Sequence, residues 1–150
     1  MQTILKMNSD ITLNRFLSAQ QNVYPQVLKE LQYGQKTSHW MWFIFPQIEG
    51  LGHSSTAKYY SIKTIEEAKE YITHPILGAR LLECSKIILE IENKTADDIF
   101  GYPDNAKLKS SMTLLNFVSP EHKEFAEVLK KYFSGKQDEQ TLSILQNCTD

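Results

Sequence analysis

The sequence predicts an all-α fold, a compact single-domain bundle of about seven short helices spanning residues 1–150. Three observations lead there. Apolar residues recur at helical spacing along most of the chain. Helix start and stop residues punctuate these segments at regular intervals. Alternating apolar and polar residues, the mark of a half-buried strand, are nearly absent.

Residues 1 to about 8 carry no such pattern and are expected to be loose. A first helix is expected over about Thr12–Gln20, with Leu13, Phe16 and Leu17 on one face. A second runs from Tyr24 or Pro25 to Tyr33. Pro25 suits its first turn, Val27, Leu28 and Leu31 share a face, and Gly34 takes the stop position. Residues 35–60 are less regular, and Trp42 to Phe45 is the one place where a strand is arguable. Thr64 with Glu67 matches a capping box and starts a helix ending near Thr73. Pro75 opens the next, which carries Ile76, Leu77, Leu81, Leu82, Ile88 and Ile91 to about Asn93. Thr95, followed by Asp97 and Asp98, caps a short turn of helix. After the turn Gly101-Tyr102-Pro103-Asp104, a helix to Phe117 aligns Leu108, Met112 and Leu115. Ser119-Pro120 reads as a cap and first turn for a helix holding Phe125, Val128, Leu129 and Tyr132, stopped at Gly135. Asp138 caps a last helix with Leu142 and Leu145.

Composition narrows the function classes. Apolar residues make up 41% and charged residues 23%, as in ordinary globular chains. The formal net charge of −2 argues against a strong electrostatic grip on nucleic acid. The N-terminus lacks the apolar run and cleavage site of a signal peptide, and the longest apolar run, Trp40 to Phe45, is too short for a bilayer. No membrane association and a cytoplasmic location are therefore expected. Cys84 and Cys148 form no CxxC and are expected as free thiols, Cys84 as a small core residue.

The most informative stretch is SHWMWFIFPQIEGLGHS, residues 38–54. Large aromatics usually fill cores, so a purely structural role is the plainer alternative. The functional alternative is a pocket wall of Trp40, Trp42 and Phe45, with Ser38 and Gln47 as polar groups beside the aromatics. His39 and His53 are the candidate acid–base residues, since imidazole titrates near neutrality. The plainer alternative is a buried His39 ring bonded to a backbone carbonyl and an exposed His53 in its loop. Gly50 and Gly52 allow a ligand close to the backbone. They lack the third glycine of a dinucleotide fingerprint. Lys107 and Ser111, four apart on a helix, form a candidate anion-facing pair. The plainer alternative there is a solvated lysine and a small packed serine. The four histidines show no metal-ligand spacing, so neither a metal nor a cofactor is expected.

Several segments carry a family resemblance: LNRFLSAQ (13–20), YPQVLKEL (24–31), the 38–54 stretch, EEAKEYITHPILGARLLEC (66–84), DDIFGYPDNAKLKSSMTLL (97–115) and VLKKYFSGKQDEQTL (128–142). Together they resemble domain-of-unknown-function family 1810, whose members often carry the label "calpastatin". The resemblance implies a small all-α fold and no established activity. The label fits poorly, because calpain inhibitors of that name are repetitive and disordered and this chain is neither. A fainter similarity, in the aromatic segment, Glu67-Ala68-Lys69 and the Gly135 to Leu142 ending, is to the family that removes ADP-ribose from guanine bases. It implies a pocket for a ribosyl or nucleotide-like ligand, with a carboxylate stabilising oxocarbenium-like charge. The expected function is binding of a small nucleotide- or ADP-ribose-like ligand, or cleavage of an N-glycoside. The alternative is a non-catalytic protein-interaction module. Convergence of Ser38, His39, Gln47, Lys107 and Ser111 on one cavity would distinguish the two.

Overall fold

The computed structural model describes residues 12–149, with side chains to Cys148. The expectation of a loose segment over residues 1–8 lies outside the described residues. The chain is all-α. Ten helices occur among the described residues: α1 (12–20), α2 (Tyr24–Tyr33), α3 (Met41–Ile44), α4 (Ser55–Tyr59), α5 (Ile65–Thr73), α6 (Leu77–Glu90), α7 (Ala96–Phe100), α8 (Asp104–Val118), α9 (Lys123–Phe133) and α10 (Glu139–Thr149). None is long and apolar enough to cross a membrane.

The expected caps explain most boundaries. Gly34, in the left-handed region at φ 81°, ends α2. Thr64 Oγ1 accepts from Glu67 N at 3.0 Å and starts α5. Glu67 does not return the bond to Thr64. It accepts instead from Lys63 N and pairs with Arg15, so only half of the expected capping box forms. The full box forms at α7, between Thr95 and Asp98. Asp138 Oδ2 accepts from Thr141 N at 3.0 Å at the start of α10.

Three expectations need correction. α6 begins at Leu77 rather than Pro75, because His74 Nδ1 accepts from the backbone N–H groups of Ile76 and Leu77 and holds the intervening turn. Ser119 closes α8 instead of opening α9. Its carbonyl accepts from His122 N, and the next helix waits until Lys123. The arguable strand at 42–45 is the single turn α3, with Phe45 N donating to Met41 O at 3.0 Å. Pro46 favours an extended residue before it, and Phe45 adopts φ −118°, ψ 82°, which ends the turn.

The core runs through the middle of this arrangement. α8 packs against α5, α7, α9 and α10, while α6 packs against α2, α5 and α9. Phe16, Leu31, Ile62, Tyr71, Leu81, Leu108, Met112 and Phe125 are fully enclosed. Two polar devices fix the irregular 35–60 region on this core. In the first, Gln20 Nε2 and Tyr71 Oη both donate to Phe43 O, at 2.6 and 2.9 Å, anchoring α3. In the second, the buried carboxylate of Glu30 gathers donors from the segment after α2. Thr37 N, Ser38 N and Trp40 Nε1 donate to it at 2.7, 3.0 and 2.9 Å, as do Ser38 Oγ and Gln26 Nε2. Burial pushes the Glu30 carboxyl up, but hydrogen bonds from Ser38, Thr37 and Gln26 outweigh it and hold the group well below the usual carboxylate range.

Both cysteines are free thiols. Burial raises Cys84 to about 12, which suits a core residue rather than a nucleophile.

Candidate functional site

A cleft of about 300 Å³ opens between the 47–61 segment, the first turns of α8 and the entry to α10. Each wall has a local cause. Pro46 turns the chain out of α3, and Gln47 O and Ile62 N then bond at 2.8 Å, as do Ile62 O and Glu49 N. This short parallel bridge between Ile48 and Ile62 closes a loop whose outer residues form one wall. Gly50 takes φ 109°, a conformation that side chains disfavour. Gly52 lies so close to Ala57 that a Cβ would meet the Ala57 Cβ at 2.5 Å. The opposite wall is the α8 face carrying Ala106, Lys107 and Ser110, with Tyr102 and Pro103 at the rim.

Within the cleft, Lys107 Nζ stands 4.4 Å from the centroid of the Trp42 ring, a cation–π arrangement. Lys107 also lies 3.4 Å from Asp104 Oδ1, and the other Asp104 oxygen pairs with Lys36 at 2.7 Å. Lys36 in turn stands 5.2 Å from the Trp40 ring, and Trp40 donates to Glu30. A row of alternating charges, Glu30, Lys36, Asp104 and Lys107, thus leads from the core to the cleft. Glu49 and Asp138 contribute carboxylates to the lining, and Gln47, Ser61 and Ser110 neutral polar groups. Glu49 pairs with Lys63 at 2.8 Å.

Of the residues expected from sequence, Trp42, Gln47 and Lys107 line this cleft. Gly50 and Gly52 join them, and Ser38, His39, Trp40, Phe45, His53 and Ser111 do not. Trp40 and Phe45 are core residues at 1% and 0% exposure, packed with Phe100. Ser38 is a strut for Glu30. His39 and His53 are exposed and lie outside the cleft wall. For His39 this corrects the expectation of a buried ring: Trp40 takes the inward position next to Glu30, and its neighbour faces outward. The convergence of Ser38, His39, Gln47, Lys107 and Ser111 on one cavity therefore does not occur, and the pocket expected from sequence fails in that form: of the five, only Gln47 and Lys107 meet, in the cleft beside Trp42.

Ser111 is the clearest correction. It is fully buried, and its Oγ has no hydrogen-bond partner among the described residues. One residue along a helix is a rotation of about 100°, so Ser110 lines the cleft with Lys107 while Ser111 turns into the core. An unpaired buried hydroxyl is destabilising. Replacing Ser111 with Ala is expected to raise stability by about 1 kcal/mol in thermal or urea denaturation. A fall of that size would mean that Oγ has a partner essential to the fold.

Sequence reading counts Asp104 among the acids nearest Lys107, which the 3.4 Å pair matches, but misses its pairing with Lys36 and the positions of Glu30, Glu49, Ser61, Ser110 and Asp138. Only Glu49 carried a local signal, as the acidic residue beside Gly50. No group of three or more His, Cys, Asp or Glu suited to a metal ion occurs among the described residues.

Comparison with known proteins yields two matches of different kinds. The family model described as "Protein of unknown function (DUF1810)" matches residues 10–145. The crystal structure of the conserved hypothetical protein Rv1873 from Mycobacterium tuberculosis superposes with a TM-score of 0.87 at 43% identity, covering 88% of this chain and 94% of that one. No curated protein matches the chain.

Proposed function

The chain belongs to the DUF1810 family of proteins of unknown function, and on that premise we propose that it binds a small nucleotide- or ribose-containing ligand in the cleft beside Trp42. The observation that carries this reading is the Lys107 ammonium held over the Trp42 ring on the wall of a cleft with mixed polar lining. Small-molecule sites combine an apolar or aromatic surface with a few converging polar groups. Here Trp42 supplies a ring for a flat or sugar-like group. Gln47, Ser61 and Ser110 supply hydrogen bonds, and the Gly50–Gly52 backbone lets a ligand approach closely. His39 and His53 have no part in it.

The same reading admits cleavage of an N-glycoside. Glu49 and Asp138 are the carboxylates in the lining, and a carboxylate can offset the positive charge of an oxocarbenium-like transition state.

The test is a thermal-shift screen against nucleosides, nucleotides, NAD and ADP-ribose, with Trp42→Ala in parallel. Ligand binding to the native state raises Tm by mass action. The expected result is a rise with one ligand class that disappears in Trp42→Ala, while that variant folds with a normal cooperative transition. A rise that survives Trp42→Ala would place the ligand elsewhere. No rise across the panel would remove the binding reading and turn attention to protein partners. Product analysis of any ligand that binds then separates binding from glycoside cleavage.

A further inference from the structure

We infer that the cleft holds its ligand by an anionic group, a phosphate or a carboxylate, bound by Lys107 and Lys58. The inference rests on the reading of the cleft as a ligand site and adds what the ligand must carry.

Four charged residues line the cleft: Lys58, Lys107, Glu49 and Asp138. The two carboxylates are already engaged. Glu49 pairs at 2.8 Å with Lys63, which stands outside the lining. Asp138 Oδ2 accepts from Thr141 N and Thr141 Oγ1, at 3.0 and 2.6 Å. It caps α10, where unpaired backbone N–H groups concentrate positive charge.

The two lysines are not so engaged. Lys107 shares Asp104 with Lys36. Lys36 Nζ lies 2.7 Å from one Asp104 oxygen and its side chain is 6% exposed, whereas Lys107 Nζ lies 3.4 Å from the other and its side chain is 23% exposed. The single carboxylate balances the buried Lys36 and leaves Lys107 as the surplus cation of the three. The Trp42 ring, 4.4 Å away, holds the Lys107 ammonium at the wall but carries no net charge to offset it. Lys58, exposed on α4, makes no ion pair among the described residues. Glu30, at the far end of the charge row, accepts five hydrogen bonds behind Trp40 and does not reach the lining. An anion in the cleft would thus meet two ammonium groups while Asp104 keeps Lys36 and Glu49 keeps Lys63. The whole chain carries a net charge of −2, so this surplus is a local feature and not a reflection of a basic protein. The cleft volume of about 300 Å³ suits a small compound.

The experiment is an NMR titration of the whole protein with pairs of compounds that differ in the anionic group: benzamide and benzoate, glycerol and glycerol phosphate, adenosine and adenosine monophosphate. The two indole N–H signals give an internal control, because Trp42 lines the cleft while Trp40 is sealed against Glu30. The expected result is a shift of the Trp42 signal, and none at Trp40, with the anionic member of at least one pair. That member is expected to bind about tenfold more tightly than its neutral partner, with affinity falling as salt rises. The pairs that respond identify the anion as phosphate or carboxylate. Lys107→Gln and Lys58→Gln should each weaken binding several-fold and still unfold cooperatively. Lys123→Gln, the same change of charge at an exposed position outside the cleft, should leave binding unchanged. Equal binding of neutral and anionic members would overturn this inference and leave the cleft reading in place. So would anion binding that survives both cleft variants, or that weakens as much in Lys123→Gln. If no compound moves the Trp42 signal, the cleft reading itself fails.

Discussion

Glu30→Ala is expected to lower stability by about 4 kcal/mol, the largest single-residue effect at a polar position in the molecule. The carboxylate is 4% exposed, and its removal strands four donors: Thr37 N, Ser38 N, Ser38 Oγ and Trp40 Nε1. Trp40 Nε1 is fully enclosed, and the Thr37 and Ser38 donors are partly buried. Glu30→Gln keeps the shape but replaces one acceptor oxygen with a donor amide facing other donors, so a loss of about 2 kcal/mol is expected. The pH dependence has a definite sign. Hydrogen bonds from Ser38, Thr37 and Gln26 outweigh the opposing effect of burial and hold the folded-state pKa below its unfolded value. The resulting stability is fully present above the unfolded pKa of about 4.3 and is lost as pH falls below it. Urea denaturation from neutral to acid pH checks this. The wild type should lose stability faster than Glu30→Gln below about pH 4, and parallel curves would refute the assignment.

Gly78→Ala is expected to cost about 3 kcal/mol, seen as a fall in Tm of about 10 °C. The position lies in the first turn of α6, where alanine would ordinarily help a helix. Here a Cβ would drive into the carbonyl oxygen of Ile72, in the last turn of α5. That oxygen belongs to a backbone pinned on both sides by the buried Tyr71 and Ile72 side chains, so α5 and α6 would have to separate. Ala79→Gly, at the exposed neighbouring position, is the control. It should cost only the helix-propensity difference of about 1 kcal/mol. Equal losses in the two variants would show that the helices yield without strain.

Much of the fold was legible because capping chemistry is local. Thr64, Thr95, Gly34 and Asp138 each act within a few residues of their partners, and the sequence displays both members. α3 and α4 escaped because four or five residues complete barely one turn, too short for a 3.6-residue period to repeat. The site was harder. Trp42, Gln47 and Lys107 stood out by residue type. Glu30 did not, because a glutamate four residues after Gln26 on an amphipathic helix looks like an ordinary solvent-facing residue. Asp104 looked like a helix-start acid, and only the approach of Lys36 from the loop after α2 reveals its other task. Ser110 and Ser111 could not be separated by spacing from Lys107, since both i+3 and i+4 lie near it on a helix. The fold resolves that choice.

The neck formed where Ile48 meets Ile62 gives the intervening loop an evolutionary meaning. Residues 49–61 leave and rejoin the body at nearly one point, and they hold one wall of the cleft while both Ile side chains stay in the core. The loop is tied to the body beyond its neck: Tyr60 packs on Phe16 and Phe43, and Arg15 of α1 donates to Tyr59 O and Ser61 O at 2.8 Å. Its outer residues, Glu49 to Gly52 and Ala57, can vary on the cleft side, while Tyr60 and the Tyr59 and Ser61 carbonyls belong to the scaffold. Transplanting residues 49–61 between two family members should therefore lower Tm unless the partners of Tyr60 and of the Tyr59 and Ser61 carbonyls travel with them.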